Sequence, residues 1–438
     1  MPSIPEFRRS RELAARLQKL VPGGSHTYAK GADQFPAEGP SVIARGKGCR
    51  VWDADGNEFI EYGMGLRAVL LGHAYPPVVD AVRASLELGT NFTRPAVAEL
   101  ECAEAFLAAI PGAEMVKFTK DGSTANTAAL KLARKATGRD LVAMAGEHPF
   151  FSYDDWFICT TTLDGGIPRS VPPLTLRFRY NDLASLRALF GAHPGQIAAV
   201  FLEPARTDEP APGFLEGVRD LCRKEGAVLV FDEMITGFRW NAGGAQKEYG
   251  VVPDISTFGK ALANGFALSA LCGKGEILRS GSHDRPEDDV FLLSTTHGAE
   301  TPALAAAVKC LEIYRSEPVV AHLHRQGERL ASGARQAAKR RGVEKFFEVI
   351  GRPCNLLFGT RGPDGEPSQE YRTLFLQELI RRGVLAPSFV VSYSHSDADI
   401  DRTVEAVDGA LGVYARALDS GVQGLLVGPP SRHVFERR

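Results

Sequence analysis

Apolar and polar positions recur along this chain at two periods, and the alternation between those periods predicts its elements. An amphipathic stretch over residues 6–20 reads as a helix, ended by the Pro22-Gly23-Gly24 break. The segment CRVWDADGNEFIEY (49–62) alternates on both sides of Asp55-Gly56, the pattern of a β-hairpin. From residue 76 the pattern changes to helical segments (76–88, 96–110, 123–137, 213–225) interleaved with short apolar runs. Those runs are Met115–Thr119, Leu141–Ala145, Ala198–Leu202 and Ala227–Phe231. Short strands separated by helices imply an α/β fold with a mainly parallel, doubly wound sheet. Toward the C-terminus, amphipathic helices at 318–341, 368–382 and 397–418 lie among short strands, which points to a smaller α+β domain. The expected division is an N-terminal segment 1–75 joining the small domain, a large domain 76–315 and the rest of the small domain over 316–438. The tail from Val427 reads as frayed.

Composition excludes several function classes. The chain of 438 residues carries 51 Lys and Arg against 53 Asp and Glu, a net charge of −2, so it lacks the basic footprint of a general nucleic-acid binder. No run of about 18 apolar residues exists to span a membrane, and the first thirty residues lack the apolar centre of a signal peptide. A cytoplasmic protein without nucleic-acid or membrane partners is therefore expected. Seven scattered cysteines with no CxxC pair argue against both a disulfide framework and a zinc site, and no metal is expected. The DADG turn superficially resembles a calcium loop. Gly56 stands at its fourth position rather than the sixth, and Met64 at the twelfth cannot coordinate. GMGLRA (63–68) lacks the third glycine of a dinucleotide fingerprint, and Gly259-Lys260 lacks the glycines and hydroxyl of a P-loop.

In doubly wound sheets ligands gather beyond the carboxyl ends of the strands, and three such ends fit one another. In VKFTKDGSTANTAALKLAR, Asp121-Gly122-Ser123 lies between a strand and a helix, where N–H groups, a hydroxyl and the positive helix end suit a phosphate. Alone, it reads rather as an ordinary helix cap made by Asp121 or Ser123. AVLVFDEM ends an apolar strand on Asp232-Glu233, and a buried carboxylate there needs a partner: a salt bridge, or a protonated heteroaromatic nitrogen. ISTFGKALANGFALSALCG holds Lys260 with no other charge from 255 to 273, so it is either a snorkelling side chain or a desolvated amine suited to imine chemistry. Phosphate cradle, aspartate and lysine together match the three anchor points of pyridoxal 5'-phosphate.

With PGG (22–24), LGH (71–73), DGST (121–124), LEP (202–204), FDEMITGFR (231–239), PDISTFGKALANG (253–265) and APS…SHSDADID (386–401), the chain resembles the class III pyridoxal-phosphate aminotransferases. Its nearest branch is that of glutamate-1-semialdehyde 2,1-aminomutase. The resemblance runs from about residue 10 to 418 and implies the fold type I transferase architecture, with 76–315 as the cofactor-binding domain. It implies a Schiff base and proton shuttle at Lys260, a pyridinium partner in Asp232, phosphate contacts from Asp121, Gly122 and Ser123, and a ring contact from Ile235. Glu203 would support the site by hydrogen bonding. A threonine of STTHGAE, Thr295 or in preference Thr296, would reach the cofactor phosphate of a second subunit, making a homodimer obligatory.

The departures from that branch fall mainly on the substrate side. SGTEA is here DGSTA, and the stacking Tyr of a YHG motif is replaced by Glu147, with His148, Phe150 or Phe151 left to stack. The aminomutase's carboxylate-binding arginine aligns with Lys30, its substrate-side Trp with Leu66, and the segment between APS and SHS is shorter, deleting a Glu. These changes imply an aminotransferase acting by a ping-pong mechanism between a small-molecule amino donor, glutamate by analogy, and a carbonyl acceptor. Lys30, Arg67, Tyr28, Glu147 and Tyr153 suggest a polar pocket for a sugar- or cyclitol-like acceptor, or are surface groups. The alternative is the intramolecular aminomutase. A racemase or decarboxylase, or a non-catalytic scaffold, stand behind both.

Overall fold

The computed structural model describes residues 6–282, 290–432 and 434; the last positions of the tail read as frayed (433 and 435–438) lie outside them. The chain forms two compact units, residues 1–75 with 321–438, and residues 76–320. Among the described residues no helix is long and apolar enough to cross a membrane.

The first unit opens on the helix Arg8–Leu20, followed by three antiparallel strands: β1 (Ile43–Lys47), β2 (Arg50–Asp53) and β3 (Glu58–Glu61). The β2–β3 connection is the predicted hairpin. Its turn is held by Asp53, whose Oδ1 accepts the N–H groups of Asp55 at 2.9 Å and Asn57 at 2.8 Å. Gly56, at φ +90°, supplies the left-handed backbone that this turn requires.

The second unit contains strands β4 (Met115–Thr119), β5 (Leu141–Ala145), β6 (Thr175–Phe178), β7 (Ile197–Leu202), β8 (Val228–Asp232), β9 (Ile255–Phe258) and β10 (Ser269–Gly273). They form one sheet in the order β4-β10-β9-β8-β7-β5-β6, and only β10 runs antiparallel to its neighbours. The sheet is thus mainly parallel, as the alternation of helices and apolar runs predicts.

Alternate residues of the central strands serve two cores, one on each face. Val142, Met144, Ala199, Phe201, Val228 and Val230 pack with Ala128, Ala129 and Leu132 of the helix Gly122–Thr137. Ala143, Ala145, Val200, Leu202, Leu229 and Phe231 pack with the helices Leu183–Ala192 and Phe214–Glu225. Side chains two apart on a strand share a face, so the series Val228, Val230 continues to Asp232. The carboxylate is thereby aimed at the helix Gly122–Thr137.

The chain completes the first unit with β11 (Phe347–Ile350), β12 (Leu357–Thr360) and β13 (Val384–Leu385), the last pairing parallel with β3. The predicted amphipathic helices are present as Val319–Arg341, Gln369–Ile380 and Asp397–Ser420. Ser396 and Asp399 cap the last of these reciprocally, each side chain accepting from the other's N–H.

Candidate active site

Because β10 is reversed and both β4 and β9 are antiparallel to it, β4 points the same way as β9, β8, β7 and β5. Their carboxyl ends therefore lie along one edge of the sheet. Gly122, Lys260, Glu203 and His148 follow the ends of β4, β9, β7 and β5, and Asp232 is the last residue of β8.

Asp232 is buried and hydrogen-bonded on both oxygens. Its Oδ1 accepts the N–H of Met234 at 2.8 Å, and its Oδ2 accepts Asn126 Nδ2 at 2.7 Å. Asn126 is itself fixed, donating to the carbonyl of Phe151 at 2.7 Å and accepting Thr257 Oγ1 at 2.6 Å. Thr257 pairs with Asp232 across β8 and β9, and Lys260 follows three residues later, half-buried. Burial raises the Asp232 pKa above the ordinary carboxylate value, while the Lys260 charge and the two hydrogen bonds pull it down. An anion kept in so dry a place needs a cation facing it.

Lys260 has φ +46°, a left-handed conformation that a non-glycine residue adopts only at a cost of about 1–3 kcal/mol. Gly259 before it makes a close approach: a Cβ there would stand 2.5 Å from Ser269 Oγ and 2.7 Å from Met234 Sδ. The same thioether would lie 2.8 Å from a Cβ on Gly122. Met234 thus wedges between the two glycine turns and joins the Asp121, Asp232 and Lys260 strand ends into one assembly.

Asp121 caps the helix Gly122–Thr137, its Oδ1 accepting Thr124 N at 2.8 Å and its Oδ2 accepting Thr124 Oγ1 at 3.0 Å. Its carboxylate is committed to the cap. The N–H groups of Gly122 and Ser123 have, as in any first helical turn, no helical acceptor. Ser123 Oγ accepts the N–H of Tyr153 at 3.1 Å and keeps its own proton available as a donor.

His148 is buried, and its Nδ1 accepts the N–H of Glu203 at 3.0 Å, which makes the ring a neutral Nε2–H tautomer. Burial, helped by Arg206, lowers its pKa to about 3. Its ring packs against Tyr180 and Phe151, with centroids 5.0 and 5.8 Å apart. The Glu203 carboxylate faces Arg206 at 3.4 Å, and Ile235 is half-buried after β8. Exposed Thr296 is tied back through its carbonyl to Asn91 Nδ2 at 2.8 Å. Thr295 is exposed as well.

The three positions expected on the substrate side, Lys30, Leu66 and Arg67, belong to the other unit. Lys30 is exposed on the short turn Tyr28–Lys30, and Leu66 and Arg67 are half-buried on Met64–Arg67. Met64, Leu66 and Arg67 all have positive φ (44°, 58° and 71°), and Arg67 Nε donates to Asn355 Oδ1 at 2.8 Å. Asn126, Thr257 and Met234 were not expected from the sequence. Only the inward spacing of Asn126, one turn after Gly122, could have flagged it.

This edge offers a dianion cradle at a helix start, a buried carboxylate and an amine beside it, which fits a phosphorylated cofactor with a basic ring nitrogen. The aminotransferase class-III family model matches residues 28–410. Glutamate-1-semialdehyde 2,1-aminomutase of Desulforamulus reducens is 33% identical over 436 residues, covering 94% of this chain and 99% of that one. Among solved structures, the Sphingopyxis sp. MTA144 FumI protein in its PLP internal aldimine form has a TM-score of 0.86 at 29% identity, over 94% of this chain and 98% of that chain. The β-phenylalanine aminotransferase of Variovorax paradoxus has a TM-score of 0.80 at 25% identity, over 93% and 94% of the two chains.

Proposed function

The chain belongs to the class-III aminotransferases, and on that footing we propose that it is a ping-pong transaminase moving an amino group from glutamate to a sugar- or cyclitol-like carbonyl compound. Pyridoxal 5'-phosphate is its cofactor, and when bound supplies the electron sink that makes a substrate α-hydrogen acidic. The protein's own groups do the rest. In this reading the first-turn N–H groups of Gly122 and Ser123, with the Ser123 hydroxyl, hold the phosphate. Asp232, braced by Asn126 and Met234, receives the protonated ring nitrogen. Lys260 anchors the cofactor, then carries the proton from the substrate α-carbon. Ile235 packs on the ring, and neutral His148 lends a flat face to it. Glu203 fixes His148 through its backbone N–H.

The observation that carries the transaminase reading is Lys30, an exposed ammonium where the aminomutase branch has an arginine. A point charge cannot reproduce the two parallel hydrogen bonds of a guanidinium to a carboxylate. The aminomutase reading has one observation in its favour, the 33% identity to such an enzyme along nearly its whole length. Adding glutamate, alanine and ω-amines separately to the holoenzyme decides between them. We expect glutamate to bleach the long-wavelength absorbance of the bound cofactor and release one equivalent of 2-oxoglutarate. An unchanged spectrum with all three, alongside turnover of glutamate-1-semialdehyde, would establish the aminomutase instead.

The homodimer belongs to the same proposal. Leu88, Val97 and Leu100 are 79%, 73% and 61% exposed within a short segment that also presents Leu86 and Phe92, a gathering of exposed apolar side chains of the kind that marks a contact surface. Asn91, which holds the Thr296 carbonyl, lies in this same segment, so a second copy docking here would meet Thr296. Light scattering should therefore give a dimer. The double variant Leu88→Glu, Val97→Glu should be monomeric and lose at least about tenfold in activity, since two carboxylates would have to be desolvated at the contact. A fully active wild-type monomer would remove this part of the reading.

A further inference from the structure

In the first unit, away from the cofactor-side residues in sequence and in unit, a cavity of about 440 Å³ is lined by four arginines, Arg341, Arg381, Arg382 and Arg416. They come from three places: the end of the helix Val319–Arg341, the turn after Gln369–Ile380, and the helix Asp397–Ser420. Acidic neighbours only partly neutralise them. Buried Glu378 bridges two, with Oε1 2.7 Å from Arg381 Nη1 and Oε2 2.6 Å from Arg382 Nη1. Glu38 also pairs with Arg381, and Asp408 is shared by Arg341 and Arg340. Among the described residues Arg416 has no ion pair. Four guanidinium groups thus line this concave space with one carboxylate, Glu378, among them, while Glu38 and Asp408 pair with Arg381 and Arg341 from outside the lining.

The helix wall is cut back to admit this charge. Gly409 faces Arg382 so closely that a Cβ would stand 2.4 Å from its Nε. Gly412, one turn on, leaves the Arg341 guanidinium lying against the helix, 3.5 Å from where a Cβ would be. Convergent planar guanidinium forks select phosphate and carboxylate oxygens, and several of them around one cavity favour a ligand with adjacent anionic groups over a single anion. The volume lies within the range of small-molecule sites, about 300–1,000 Å³.

We propose that this cavity is a binding site for a compact oligophosphate group, free or as the phosphate tail of a nucleotide. Glu378 acts as the internal brace that fixes the Arg381 and Arg382 forks, and Arg416 supplies the charge that the ligand completes.

Calorimetric titration of the full-length holoenzyme at constant ionic strength tests it, with sodium pyrophosphate, ADP, ATP and inorganic phosphate as probes. Saturating cofactor keeps the probes out of its own phosphate cradle. Pyrophosphate should bind saturably, at least tenfold more tightly than inorganic phosphate. Arg416→Glu and, separately, Arg341→Ala should each weaken it at least tenfold. Neither variant threatens the fold: Arg416 is exposed, and Arg340 still pairs with Asp408 when Arg341 is lost. ADP or ATP binding more tightly than pyrophosphate assigns the site to a nucleotide, and equal binding assigns it to the free oligophosphate. Absence of saturable binding by every probe, or binding unaltered in both variants, overturns the proposal.

Discussion

Lys260→Ala is expected to lower kcat by on the order of 10⁴-fold or more, because in the proposed reading one amine both anchors the cofactor and moves the substrate proton. No other charged residue lies between 255 and 273 to take over. Protein purified from this variant should release its cofactor on desalting, whereas the wild type retains it. The backbone adds a second readout. At φ +46° the lysine is held in a conformation that alanine finds equally strained and glycine does not. Lys260→Gly should therefore be more stable than Lys260→Ala by about 1 kcal/mol, seen as a higher Tm, while being equally inactive. Steady-state rates with glutamate as donor, next to thermal unfolding of both variants, give the two readings together. Activity in either variant above a hundredth of wild type would remove Lys260 from its role.

Strand ends carried most of what could be read in advance. The run Val228-Leu229-Val230-Phe231 is apolar at every position, as a strand covered on both faces must be, so its first acidic residue marks the end of the core. The same reasoning singled out Lys260 and the Asp121-Gly122-Ser123 turn. What it could not reach was how those ends support one another. Asn126 is one of several polar residues on the helix Gly122–Thr137. Its meeting with Asp232 depends on the rotation of that helix over the sheet, which no local pattern encodes. Met234 reads as a core methionine, yet its sulfur is the contact shared by two glycine turns. Asp121 was open to two readings, part of a phosphate turn or a helix cap, and its carboxylate is held by Thr124 in a cap.

The direction of β10 was equally hidden. SALCG is as apolar and small as its neighbours, and strand polarity follows from the connection length rather than from composition. β6 lies at the sheet edge with exposed Arg177 in its four residues, so it lacks the apolar run that marks the inner strands. The left-handed run at Met64–Arg67 was invisible for another reason. Only Gly65 among its residues favours positive φ, and Met64, Leu66 and Arg67 are held there by the fold around them. Such strain on consecutive side chains is where substrate selection in this unit would first be sought.

Asp232→Asn is expected to separate activity from the pH dependence of stability. With the carboxylate gone, nothing at this strand end favours a protonated ring nitrogen, and kcat should fall by about 10²–10³-fold, the scale for losing one preorganised electrostatic contact. The fold should survive, since the amide oxygen can still accept the Met234 N–H. In the cofactor-free protein the sign runs the other way from a surface carboxylate. Burial raises the native pKa of Asp232 above its unfolded value. Between those two values the native state holds the proton and the unfolded state does not, so rising pH costs the wild type stability through that window. Glu233, pushed by burial to about 7, contributes a slope of the same sign and is present in both proteins. Tm measured on cofactor-free protein from pH 4 to 8 should therefore fall less steeply for Asp232→Asn than for wild type. Cofactor should raise Tm more in the wild type, where the carboxylate gains its cation. A variant with kcat within tenfold of wild type and the same Tm slope would mean that Asp232 is neither the cofactor's partner nor a buried anion, and the reading of this strand end would have to be given up.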